Sequence, residues 1–207
     1  MTPTLHRWGS VSAIAFAALV VAWFALAAVP DVMDAPERIL DVYADDGVRA
    51  RVFAGTVLLA FAGAFLLAFL ADVCALLRAA ERGPLADLAL LGGAVFSTLL
   101  AHAGALLAVL PVLIGFDELS ATVDPDLAAV VVQLAVVVLL LFAPLAAATF
   151  VLAISIAALR QRLLAPWLAR AGIGIAALLP FSAIGFPLVL FVVWIATVGI
   201  ALRPRRS

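Results

Sequence analysis

The chain has 207 residues, 68% of them apolar, and a formal net charge of −1. Only 12% are charged and the mean hydropathy is +1.30, against about a quarter charged in a soluble domain. So few charges cannot cover a soluble surface, which excludes a cytosolic enzyme, a nucleic-acid binder and a disordered chain, and predicts a lipid environment.

A membrane span needs about 20 apolar residues. The first predicted span covers 10–29 and stops at Pro30-Asp31. Ala25-Leu26-Ala27 resembles a signal-peptide cleavage site, but the long apolar run and the spans after it favour an uncleaved helix. The following loop predicts a short amphipathic helix over about 35–46. Asp34 is placed to cap it, Pro36 suits its first turn, and Glu37 holds the capping-box position. Ile39, Val42 and Tyr43 share one face, and Gly47 is placed to end the helix. Such a helix lies on the outer surface or over the bundle mouth, as a lid or as an ordered connector. The second span covers 52–77 and the third 88–115. The fourth covers 127–159; it exceeds the hydrocarbon thickness and must tilt, project or kink near Pro144. The last apolar stretch is interrupted by Pro180, Gly185 and Pro187, which favour a turn, and divides into spans at 167–182 and 187–202.

The expected fold is all-α, a single transmembrane bundle of six spans with both termini cytoplasmic. That orientation puts nine arginines inside and three (Arg38, Arg49 and Arg51) outside, as the positive-inside rule requires. One long final span would instead leave Arg203, Arg205 and Arg206 outside. The abundance of Ala and Arg without Lys points to a GC-rich bacterium, and hence to the bacterial cytoplasmic membrane.

Much chemistry is excluded. All twelve basic residues are Arg, so no lysine can form a Schiff base. Cys74 is the single cysteine, so no intrachain disulfide exists. The two histidines are His6, in the N-terminal tail, and His102, so two buried haem-ligating histidines are not available. HExxH and GxSxG motifs are absent. Asp46-Gly47-Val48-Arg49-Ala50-Arg51 matches the DGxxAR core of CDP-alcohol phosphatidyltransferases. Their other three metal carboxylates, however, would fall on Tyr43, Ala64 and Ala68, and a required glycine on Ala60. Asp124-Pro125-Asp126 is a DxD, but a capping Asp before an N-terminal Pro explains it without chemistry. No catalytic, metal or cofactor residue is assigned.

The polar residues inside spans are the functional candidates. Asp72 lies near the cytoplasmic end of the second span and His102 near the middle of the third, with Thr98 one turn away. Read functionally, they form a proton relay or anchor a ligand headgroup; read structurally, Asp72 pairs with Arg78 or Arg82 and His102 bonds between helices. Their expected axial offset is about 10 Å at 1.5 Å per residue. Gln133 in the fourth span is expected to hydrogen-bond between helices. Two stripes of small residues, Ala60, Ala64 and Ala68 on the second span and Gly93, Ser97, Ala101 and Ala105 on the third, predict close helix packing, within one chain or between chains. The inner loops repeat a spacing, Arg78–Pro84–Gly92 and Arg160–Pro166–Gly174, as a duplicated hairpin would.

Pro166-Trp167-Leu168-Ala169-Arg170-Ala171-Gly172, the broken last pair of spans ending in Trp194 and Arg203, and Ala75-Leu76-Leu77-Arg78 together resemble an uncharacterised family of small bacterial six-span proteins. The family is a domain of unknown function, so the resemblance implies architecture and no activity. The expected function is therefore an accessory subunit or a binder of a hydrophobic ligand or lipid, with the bilayer and a membrane-protein partner or second copy as partners. A small transporter using Asp72 and His102 is the alternative, and a lipid-modifying membrane enzyme the third.

Overall fold

The computed structural model describes residues 3–26, 34–80, 83–115, 123–184 and 186–202. Every element among them is helical. In chain order these are α1 (Pro3–Leu26), α2 (Pro36–Ala44), α3 (Asp46–Ala80), α4 (Pro84–Gly115) and α5 (Pro125–Val137). A π-helical turn (Val138–Phe142) then leads into α6 (Ala143–Gln161), followed by α7 (Pro166–Leu178), a 3₁₀ turn (Leu179–Ile184) and α8 (Phe186–Ala201). Proline opens α2, α4, α5 and α7, where its missing N–H would have no partner anyway.

Five helical stretches are long and apolar enough to cross a membrane: α1, α3, α4, the continuous run from α5 to α6, and α7 with its turn. The outer surface agrees, because large apolar side chains such as Phe53, Phe61, Val95, Leu127 and Val130 are exposed on it. These features make a multi-pass membrane architecture. The helix α8 has 16 residues, about 24 Å at 1.5 Å per residue, and is shorter than a standard span.

The expected strain at Pro144 takes the form of a π turn. Proline cannot donate to the carbonyl four residues back and its ring crowds it. The widened turn at Val138–Phe142 relieves that crowding without ending the helix. The expected break before α8 is present as well, with Phe181 leaving helical geometry (φ −98°, ψ 23°).

The short helix α2 differs in its capping. The residue before α2 is Ala35, with no side-chain cap, and Asp34 instead pairs with Arg38 at 3.5 Å. Gly47 does not end α2 but lies inside α3, and the chain turns at Asp45. Arg49 explains this, since its Nη1 donates to the carbonyls of Tyr43 (2.8 Å) and Ala44 (2.9 Å). The exposed carbonyl end of α2 is thus satisfied by a guanidinium rather than by a glycine cap. Asp45 caps α3 in turn, accepting from the N–H of Val48 at 2.9 Å. Ile39 and Tyr43 are buried as the amphipathic pattern expects, and α2 packs on α5, α3 and α4.

Six helices close a ring of contacts in the order α1, α3, α4, α6, α7, α8 and back to α1. At its centre Phe16, Phe96, Phe150 and Phe191, one from each of four helices, meet edge to face with centroids 5.5–6.5 Å apart. Backbones approach closely where glycine allows it. A Cβ on Gly92 would lie 3.0 Å from the Phe150 nitrogen and 3.2 Å from the Ala146 carbonyl oxygen.

The small-residue stripes lie only in part at contacts within the chain. Gly93 and Ser97 are buried, but Ala101, Ala105, Ala60, Ala64 and Ala68 are exposed. The buried face of α4 instead runs Ala86, Ala89, Gly93, Phe96, Leu100, Ala103, Leu107 and Leu110. Those steps alternate three and four and so stay on one face. A strict spacing of four drifts about 40° per step at 3.6 residues per turn, which carries the stripe off the seam within the chain.

Candidate functional site

The polar residues singled out in the sequence do not form one site. The side chain of Ser97 donates to the Gly63 carbonyl at 3.3 Å, which fixes the antiparallel register of α3 and α4. Asp72 lies nine residues beyond Gly63 toward one end, and His102 five residues beyond Ser97 toward the other. The two are therefore about 21 Å apart along the bundle at 1.5 Å per residue, twice the expected offset. Span ends do not specify how α3 and α4 slide against each other; the Ser97–Gly63 contact sets that register.

Their surroundings differ too. Asp72 is half-buried and turns toward α1, where a Cβ on Gly9 would come within 2.6 Å of its Oδ2. Gly9, Ser10, Phe69, Val73, Leu76 and Leu202 enclose it, and neither Asp72 nor Ser10 lacks a polar partner. Arg78 pairs with Asp87 at 2.7 Å instead of with Asp72, because Asp87, in the first turn of α4, stands across the hairpin from it. The other expected partner, Arg82, lies outside the described residues. His102 is exposed on the outer face of α4, and its Nδ1 is 2.8 Å from the Thr98 carbonyl. Thr98 and Gln133 are exposed as well. His102, Thr98 and Gln133 are thus surface groups of the isolated chain and not buried ones.

The two loop motifs are structural. Asp46 is exposed and pairs with Arg49. Asp124 caps α5 as expected, its Oδ1 accepting from the Asp126 N–H at 2.9 Å, with Pro125 as the first helical residue.

A concave feature lies among the apolar residues. A cleft with a cavity volume of about 50 Å³ opens at the centre of the bundle. Phe16, Phe96 and Phe191, three of the four interlocked rings, form its floor. Val20, Trp23 and Phe24 of α1 and Leu188 and Val192 of α8 make one wall, and Leu59, Leu100, Leu139 and Leu140 complete the lining. Leu139 and Leu140 come from the π turn, so the distortion that accommodates Pro144 also shapes the cleft. All twelve lining residues are apolar or aromatic. Small-molecule pockets are mostly apolar, and this narrow, wholly apolar lining suits hydrocarbon rather than a polar group.

The sequence reading missed this site. Apolar residues are everywhere in a membrane protein, and nothing in their identity separates those facing a cleft from those facing lipid. The available signals were mid-span phenylalanines on separate helices and the distortion expected near Pro144. No family model, no curated protein and no solved structure matches this chain, and the resemblance to a six-span family contributes no residue roles.

Proposed function

We propose that this chain is a six-span protein of the bacterial cytoplasmic membrane, with both termini cytoplasmic, that binds one apolar chain of a lipid or similar hydrophobic ligand in its central cleft. The observation that carries this reading is the wholly apolar lining of the central cleft. Burying a hydrocarbon chain there exchanges contacts with bulk lipid for contacts with five aromatic rings. Catalysis finds no support, because nucleophile, base and metal carboxylates do not converge on the cleft. A relay between Asp72 and His102 finds none either, given their separation. The chain would act by holding its ligand, as a subunit of a larger assembly or as a carrier within the membrane.

The test uses full-length protein in phosphatidylcholine vesicles carrying a phospholipid with a photoactivatable acyl chain. Cross-links are expected on the cleft residues of α1 and α8. Leu139→Trp fills the cleft and is expected to cut that labelling by roughly tenfold, equivalent to about 1.4 kcal/mol of binding. Leu91→Trp, on the exposed face of α4, is expected to leave it unchanged. Labelling of the wild type no stronger in the cleft than on the outer face would refute the proposal.

A further inference from the structure

The middle of α4 presents an unmatched hydrogen-bonding pair to the bilayer. The Thr98 carbonyl can only accept, so the 2.8 Å contact assigns the proton to Nδ1 of His102. In the neutral imidazole this leaves Nε2 as an acceptor on an exposed side chain. Thr98 supplies the complement. The hydroxyls of Thr56, Thr149 and Thr197 bond back to the carbonyls of Val52, Leu145 and Val193, whereas that of Thr98 has no partner among the described residues. A free donor and a free acceptor thus sit one turn apart on a single exposed face. They lie near the midpoint of the 32-residue α4, about 15 Å from either headgroup layer of a 30 Å core, where lipid offers only hydrocarbon.

We propose that this face is the interface of a symmetric homodimer in which Thr98 of each copy donates to His102 Nε2 of the other. A two-fold axis along the membrane normal keeps both copies in the same orientation and places identical residues at the same depth. The contact of Nδ1 with the carbonyl of residue 98 draws the imidazole back toward the depth of Thr98. Donor then meets acceptor twice across the axis. Ala101 and Ala105, exposed beside the pair, allow the two backbones to approach closely. A partner with only acceptors would satisfy Thr98 and leave His102 unmatched; a second copy satisfies both.

The test is energy transfer between full-length chains labelled at Gly83→Cys in a Cys74→Ala background, diluted in phosphatidylcholine vesicles. A reversible dimer is expected. Intramembrane hydrogen bonds average about 0.6 kcal/mol, so losing both weakens the dissociation constant about sevenfold. Thr98→Val and His102→Leu should each produce that loss, and the double variant no more than either alone. Thr149→Val and Thr197→Val should leave the dimer unchanged. In native membranes Ala101→Cys, again in Cys74→Ala, should oxidise to an adduct of twice the chain mass. The inference is overturned by a monomer throughout the dilution, by a dimer indifferent to both substitutions, or by an adduct of another mass, which would mean a different protein covers this face.

Discussion

At the scale of single residues, buried polar groups without partners give sharp expectations. Tyr43, the only tyrosine, is fully buried under α2 and its hydroxyl has no partner among the described residues. Burial pushes its pKa from 10.0 up to about 12, because the phenolate would lose its hydration. The folded chain therefore holds this proton more tightly than the unfolded chain. The corresponding stability is fully present below pH 10, declines above it, and is gone once pH passes about 12. Tyrosinate absorbance is expected to rise near pH 12 in the folded protein and near pH 10 after unfolding; equal midpoints would show that Tyr43 is solvated. Ser155 is a second case, a fully buried hydroxyl with no partner among the described residues. Replacing it with alanine removes a desolvated donor and no bond, so Ser155→Ala should leave thermal stability in detergent unchanged or raised. Gly92→Ala should act the other way. Its Cβ would press on the Phe150 nitrogen and the Ala146 carbonyl, which are backbone atoms and cannot swing aside. Separating α4 from α6 to admit it should cost about 1–3 kcal/mol, measurable as a lowered unfolding midpoint in denaturing detergent.

Elements were legible in the sequence to the extent that their cause is local. The long apolar runs gave helices over 46–80, 84–115 and 125–161, because in lipid a backbone must satisfy its own hydrogen bonds. The Asp124-Pro125 start and the proline-broken end came out as read, since capping and proline sterics act within a few residues. The start and end of α2 did not, because its carbonyl end is satisfied by Arg49, a side chain from the next helix. Stripes fared worse. A spacing of four is easy to see in a sequence, whereas the real seam on α4 alternates three and four and mixes Gly, Ala, Phe and Leu. Helix register was least legible of all. The separation of Asp72 from His102 depends on Ser97 meeting Gly63, a contact between chain segments 34 residues apart that no local pattern specifies. The cleft is hidden for the same reason, since its floor is assembled from Phe16, Phe96 and Phe191.

At the scale of the molecule, the unsettled length of α8 and the orientation of the bundle are one problem. With 16 residues, α8 extends about 24 Å, some 6 Å short of a 30 Å hydrocarbon core. Arg203, Arg205 and Arg206 follow it in sequence, and long arginine side chains can reach a headgroup layer from a short helix. If α8 crosses, the chain has an even number of spans and its termini share a side. The arginine count then favours that side as cytoplasmic, nine residues against three. If α8 does not cross, the three terminal arginines move outside and the bias falls to six against six, an arrangement the rule does not favour. Cysteine labelling of intact cells in a Cys74→Ala background decides between them. A cysteine replacing Asp41, exposed on α2, is expected to react with an impermeant reagent, and so is one replacing Ser120. Cysteines replacing Gly83 and Ser207 are expected to react only after the membrane is permeabilised. Reaction at both Asp41 and Ser207 in intact cells would mean five spans, with α8 returning to the outer face. Reaction at Gly83 but not at Asp41 would invert the molecule, and would move the end of the cleft marked by Trp23 and Leu188 to the cytoplasmic leaflet.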